Sequence, residues 1–290
     1  MAKQNLNTTT NMSALQAREV DFVTRFSNNW TALRQILGIM RPIRKAPGTQ
    51  LKSLKVEFAN LATSPAEGEE IPYSKPTYTP VTFQDLTIEK YAEATSIEAV
   101  EKYGAKLAVE KTDEAFLTKL QNKVMTEFYT FLATGTLTDT ANTFQEGIAT
   151  AIGSVVHKFQ TMNKDCTEIV VFVNTLDVYA YLGTANITIQ SEFGVNYIKN
   201  FMGASTIILT DKVASGTIIA TPVDNIDLYY IDPNDSEFHE LGLEYRVEGE
   251  TNLIGFHAQG DYQHAVGECF ALMGMKLWAE FLDAIAVVTV

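Results

Sequence analysis

Residues 61–80 read LATSPAEGEEIPYSKPTYTP, a polar excursion whose acidic tip is Glu67-Gly68-Glu69-Glu70-Ile71-Pro72. Runs with strand character flank it at residues 54–61 and 81–88. The excursion holds no nucleophile, no metal-ligand spacing and no phosphate cradle. An isolated two-stranded hairpin is at best marginally stable in water, and limbs of ten residues would reach about 30–35 Å. Exposed strand edges invite pairing with other chains. The stretch therefore reads as an arm that lies on another subunit, with a flexible surface loop as the competing reading. Pro72, Pro76 and Pro80 on the return limb lack backbone donors, which confines them to edges, bulges or strand starts. Val56 and Phe58 share one parity on the first limb, as Val81 and Phe83 do on the second. Leu86 and Ile88 fall on the opposite parity, which predicts a bulge or bend near Gln84-Asp85.

Outward from the hairpin, composition bounds the rest. At 290 residues and 46% hydrophobic, the chain can bury a sizeable core as one large domain or two smaller ones. A net charge of −13 argues against an electrostatic grip on nucleic acid or on an anionic membrane surface. It suits a protein kept from nonspecific contacts until a specific interface forms. Cys166 and Cys269 form no CxxC pair. The start, MAKQNLNTTTNMS, lacks an apolar signal segment, and no run approaches the roughly 18 apolar residues of a membrane span. These features predict a cytosolic chain with reduced thiols, in which the four glycosylation-type tripeptides carry no meaning.

Upstream of the hairpin, Leu15, Val20, Phe22, Val23 and Phe26 begin a helical pattern, and Trp30, Leu33, Ile36 and Leu37 a second that stops at Gly38. Residues 41–48, RPIRKAPG, read as a breaker segment. Together these make an N-terminal arm that needs a neighbouring surface. Downstream, residues 95–103 read as a short helix ending near Gly104, and residues 106–133 as a long one. In the long helix Phe116, Leu120, Val124, Phe128 and Phe131 form one apolar stripe, with Gly135 placed to close it. Thr143-Phe144-Gln145-Glu146 has capping-box spacing ahead of another helix. Ile169 to Val173 is a continuous apolar strand, and Asn174-Thr175 caps a short helix ending near Gly183. Residues 184–203 read as a loop. Strands follow at 206–209, 217–221 and 226–231, then an antiparallel pair, 241–247 with 253–258. Residues 270–282 fit helix or strand, and 285–290 are strand-like, a β-rich terminus that docks into a sheet.

This order, with AEGEEIPYSK at the hairpin tip, resembles the major capsid proteins of tailed bacteriophages, whose shared architecture is the Hong Kong-type (Johnson) fold. The tip, the long helix from Lys106 and the strand-then-capped-helix IVVFVNTLD at 169–177 carry the likeness. The resemblance implies an α+β fold divided into an N-terminal arm (1–48), an extended β-hairpin loop (49–90), a peripheral domain with a spine helix (91–140), an axial domain (141–240) and return strands completing the peripheral domain (241–290). It implies a structural, non-enzymatic protein without cofactors. Copies would self-assemble as hexamers and pentamers into the icosahedral shell of a virion, made in the bacterial host cytoplasm. Rings of that kind need heterologous contacts. The contacts would come from the hairpin tip, Glu67, Gly68, Glu69, Glu70, Ile71, Pro72, Tyr73 and Lys75, and from the arm, Phe22, Phe26, Trp30, Arg41 and Arg44. Other partners would be a portal, possible decoration proteins and packaged DNA by nonspecific proximity, with no membrane. With Met1 as the start, a separate scaffolding protein is expected. Lys75 occupies the hairpin position from which some members crosslink, a position many occupy without crosslinking. Arg41, Arg44 and Lys45 are candidates to receive the acidic tip on charge alone.

Catalytic readings have weaker support. His257, Asp261 and His264 could offer metal ligands, but no fourth ligand stands nearby. Asp232-Pro233-Asn234-Asp235-Ser236-Glu237 lacks the glycine and spacing of a calcium loop and reads as a turn. Glu67, Glu69 and Glu70 lack an apolar pocket that would tune an acid–base pair. No GxSxG or GxxxxGK[ST] occurs. The alternatives are an encapsulin-type nanocompartment shell protein, which would share the fold, and a cytosolic α/β enzyme.

Overall fold

A computed structural model of the chain describes residues 18–19, 21–22, 24–25, 40–49, 51–57, 64–71, 73–82, 85–166, 168–183, 190–192, 195–201, 203–247 and 252–290. Two sheets and a hairpin ribbon hold the strands. The ribbon pairs β2 (Lys52–Glu57) with β3 (Thr77–Thr82), antiparallel, from Lys52↔Thr82 to Glu57↔Thr77. The return strand thus precedes the expected run at 81–88. Leu86, beyond it, is buried against Ile231, Phe238 and Leu272. Of the bend expected near Gln84-Asp85, Gln84 lies outside the described residues.

The spine helix, α2 (Ala105–Leu132), spans 28 residues, or about 42 Å at 1.5 Å per residue. Gly104, at φ 86°, separates it from α1 (Ile97–Tyr103), a left-handed value that favours glycine. The spine buries Leu117, Leu120, Val124, Phe128, Tyr129 and Leu132. Gly135 serves a different end from the expected helix closure. A Cβ there would sit 2.5 Å from the Ile285 carbonyl oxygen, so the residue permits a close chain crossing.

A five-stranded sheet packs on the spine. Its order is β1 (Met40–Lys45), β11 (Ile226–Ile231), β13 (Val266–Ala279), β12 (Ile254–Asp261), with β4 (Glu89–Ser96) also on β13. The apolar run 270–282 is therefore mostly strand. The expected 241–247 strand reduces to one bridge, Arg246↔Phe256; the hairpin instead joins β12 to β13. The RPIRK segment, read as a breaker, is β1, parallel to β11. An edge position tolerates Pro42 in a strand.

A seven-stranded sheet packs on the C-terminal half of the spine. Its order is β5 (Leu137–Thr140), β14 (Ala286–Thr289), β10 (Thr217–Pro222), β6 (Ile169–Asn174), β9 (Ala204–Thr210), β8 (Val195–Phe201), β7 (Gln190–Glu192). β7 and β8 replace the expected loop at 184–203. Every residue of β6 is buried, as a strand covered on both faces must be. Val170 and Phe172 meet the spine, where the Phe172 ring lies 5.8 Å from Phe128 and 5.6 Å from Tyr129. Ile169, Val171 and Val173 join Ile148, Ala151 and Val155 of α3 (Phe144–Thr161) on the other face. At the start of α3 the Thr143 hydroxyl accepts from the Glu146 N–H at 3.2 Å, and the Glu146 carboxylate reaches back to the Asn142 N–H at 2.9 Å. Asn174 caps α4 (Thr175–Leu182) through the Leu176 N–H at 2.8 Å.

The sheets cross the expected domain division. Residues 226–231, grouped with the axial segment, pair in the five-stranded sheet. Residues 286–289, grouped with the return strands of the peripheral domain, pair in the seven-stranded one. The physical reason is that, besides the passage through the spine helix, the chain crosses between sheets at 223–225 and 280–285. Asn225 ties the two passages together. Its amide donates to the Phe281 carbonyl at 3.1 Å and accepts from the Phe281 N–H at 2.9 Å, and its own carbonyl accepts from the Glu280 N–H at 2.9 Å.

Candidate functional site

The hairpin tip gathers exposed apolar side chains beside its acidic turn. A turn closes it, with the Glu69 N–H donating to the Ala66 carbonyl at 3.1 Å and the Glu69 carboxylate accepting from the Ala66 N–H at the same distance. Glu67, Gly68, Glu69, Glu70 and Lys75 are exposed. Ile71 is 74% and Tyr73 90% exposed, and Tyr78 and Val56 on the ribbon are also exposed. Burying such side chains is favourable, at about 25 cal/mol per Å² of apolar surface. Pro72 lies outside the described residues.

The N-terminal arm reads differently in the structure. Phe22, expected to touch another subunit, has no exposed surface. Its ring stacks on Phe256 at 4.0 Å, with Phe116 at 5.9 Å. A helical spacing of apolar residues fits a docked core helix as well as an arm, and here the protein's own core takes it. Phe26 and Trp30 lie outside the described residues.

Arg41 and Arg44 also find partners in their own chain. Arg41 donates from Nε to Asp227 at 2.8 Å and reaches Glu280 at 3.5 Å. Arg44 pairs with Asp232 and Asp235, both at 3.3 Å. Lys45 stands over the Tyr229 ring at 5.5 Å. Four carboxylates thus face these three cations, so β1 is not the free basic patch that charge alone suggests. The burial of Asp227 and Asp232 explains the pairing, since a buried carboxylate requires a partner.

The catalytic alternatives meet specific obstacles. A cleft of about 470 Å³ is lined by Glu19, His239, Glu244, Tyr245, Arg246 and His257 among others, with no Ser, Thr or Cys among its described lining residues. His257 faces Glu19 at 3.3 Å, while the His264 imidazole pairs with Asp261 at the β12–β13 turn, so the expected trio does not converge. That pairing raises the His264 pKa and lowers that of Asp261. In the Asp232 turn, the carboxylate accepts from the Asn234 N–H at 2.9 Å. The described residues do bring together one cluster that sequence reading missed, Glu93, Asp113 and Cys269 around Arg18. Its members are 18, 93, 113 and 269 in sequence, and no local motif links them.

No protein-family model matches the chain, and no curated protein matches it in sequence. Solved structures match it in shape. The mature capsid of bacteriophage PhiM1 superposes with a TM-score of 0.60 at 8% identity, over 87% of this chain and 85% of that one. The chain has the Hong Kong-type capsid fold. A structure from Mycobacterium phage Che8 gives 0.56 at 12% identity, covering 83% and 84%. The SrpI encapsulin of Synechococcus elongatus gives 0.54 at 13% identity, covering 88% and 86%. A phage capsid and an encapsulin therefore share this α+β architecture.

Proposed function

We propose that this protein is a structural shell subunit, the major capsid protein of a tailed bacteriophage, which assembles through hexamers and pentamers around packaged DNA. The observation that carries the reading is the exposed apolar hairpin on a fold whose neighbours over most of their length form shells. Ile71, Tyr73 and Tyr78 offer surface that a monomer leaves in water and a second copy can cover. Interfaces stable enough to build a shell bury more than about 1,000 Å², and a ribbon laid across a neighbour contributes directly to that area. Glu67, Glu69, Glu70 and Lys75 would set register at its tip, because charges at an interface rim contribute specificity more than affinity. Scaffold, portal and decoration proteins are the partners that go with this reading.

Deleting residues 64–75 tests it. The described residues of 64–75 are exposed or half-buried, so the deletion variant should fold with an unchanged melting temperature. It should build no shells under conditions in which the full chain does, as seen by electron microscopy. Normal shells from the variant would refute the hairpin's role. Nucleic acid content then separates the two shell readings: phage-produced particles filled with duplex DNA support the viral one, and particles filled with an enzyme support the nanocompartment.

A further inference from the structure

We propose that Arg18, Glu93 and Asp113 form a proton-operated latch that holds the N-terminal helical residues Arg18, Glu19, Asp21 and Phe22 against the spine helix and the five-stranded sheet. The geometry supports a latch. Arg18 donates from its guanidinium to both oxygens of Asp113 on α2, and its Nη2 lies 3.3 Å from Glu93 on β4. Cys269 on β13 stands in register opposite Glu93. A carboxylate oxygen of Glu93, one of Asp113 and the Cys269 Sγ lie within 4.8 Å of one another. Nearby, the Glu19 carboxylate accepts from the Ala258 N–H at 2.8 Å, and Phe22 fills the slot between Phe116 and Phe256. One cation therefore faces two carboxylates where the N-terminal residues meet three other elements.

With both carboxylates ionised, the cluster carries one net negative charge away from water. Asp113 is the better served, taking two hydrogen bonds from Arg18. Glu93 keeps a buried oxygen, Oε2, with no hydrogen-bond partner. A proton on Glu93 removes the excess charge and gives that oxygen a hydrogen to donate. Burial first, then the hydrogen bond and charge of Asp113, push Glu93 up to about 7, against the opposing pull of Arg18. Burial likewise pushes the Cys269 thiol up, so it stays neutral. The direction follows by linkage. Glu93 holds its proton more tightly when the segment is docked than when it is released. Docking is therefore strongest below the ordinary carboxyl range and weakens as pH rises through about 7. A proton held from 4.5 up to about 7 limits the whole effect to about 300-fold in the docking equilibrium.

Hydrogen exchange at the Ala258 amide, in the full-length unassembled chain, reads the latch directly because Glu19 accepts that hydrogen. After correction for intrinsic base catalysis, protection should fall about tenfold between pH 6 and pH 8.5. Glu93→Gln should keep protection high and flat across that range. Asp113→Asn, which removes the competing negative charge, should also abolish the loss in the neutral range, and it serves where Glu93→Gln fails to fold. Flat protection in the unmodified chain would overturn the proposal. So would an unchanged pH dependence in Glu93→Gln, which would place the titration elsewhere, with His257 beside Glu19 the other titratable contact.

Discussion

Asn225 shows how much one side chain can organise here. It is buried, and its amide bonds both the N–H and the carbonyl of Phe281 at a point where the chain changes sheets. Replacing it with alanine leaves the Phe281 N–H without this partner, while the Phe281 carbonyl keeps the Ala284 N–H at 3.0 Å. An unsatisfied buried polar group costs about 1–3 kcal/mol, so Asn225→Ala should lower unfolding stability by about 2 kcal/mol. Thermal or denaturant unfolding of the soluble subunit measures this. Unchanged stability would mean that water replaces both contacts. Phe22 teaches a related lesson. Its apolar spacing was readable in the sequence, but its partner was not, because Phe256 lies far along the chain and on a strand. The Arg18 cluster was hidden for the same reason, as four residues on four elements leave no spacing to read. The hairpin tip was readable because turn residues, charge and prolines are local signals.

At the scale of elements, helices and turns were legible and sheet membership was not. The spine helix, the Thr143 and Asn174 caps and the fully buried β6 each follow from a local pattern. β4, EKYAEATS, escaped notice because its outward residues are charged or small, although Tyr91, Glu93 and Thr95 alternate inward. β1 was misread because proline and arginine signal a break unless a long-range parallel partner supplies the pairing. The last strand carries the sharpest prediction. β14 sits between β5 and β10, with Ile285, Ala286 and Val288 fully buried. Each large aliphatic side chain buried is worth about 1.5–3 kcal/mol, and the strand's removal also leaves two ladders unpaired. Removing residues 285–290 should cost about 5 kcal/mol or more, comparable with the total stability of many domains. The truncated chain should give little soluble folded protein. The milder Val288→Ala should still fold, with stability lowered by about 2 kcal/mol. Unchanged melting of the truncated chain would show that the terminal strand adds nothing to the sheet.

At the scale of the whole molecule, two opposing forces decide whether copies associate. The exposed apolar residues of the hairpin favour contact, while a net charge of −13 on every copy opposes it. The charge term is long-ranged and screened by salt, with a Debye length of about 10 Å at 0.1 M falling to about 3 Å at 1 M. The apolar term is not weakened by that screening. Association should therefore increase with ionic strength. Dispersed subunits or single rings are expected at low salt, and rings, tubes or closed shells near 1 M, visible by negative-stain electron microscopy beside size-exclusion chromatography. Assembly that weakened with salt would instead make ion pairs at the acidic tip the dominant contact, and Glu69→Gln and Glu70→Gln would then be the informative variants. Dispersed monomers at every salt concentration, with and without a candidate scaffold, would overturn the shell reading and direct attention to the cleft beside His257.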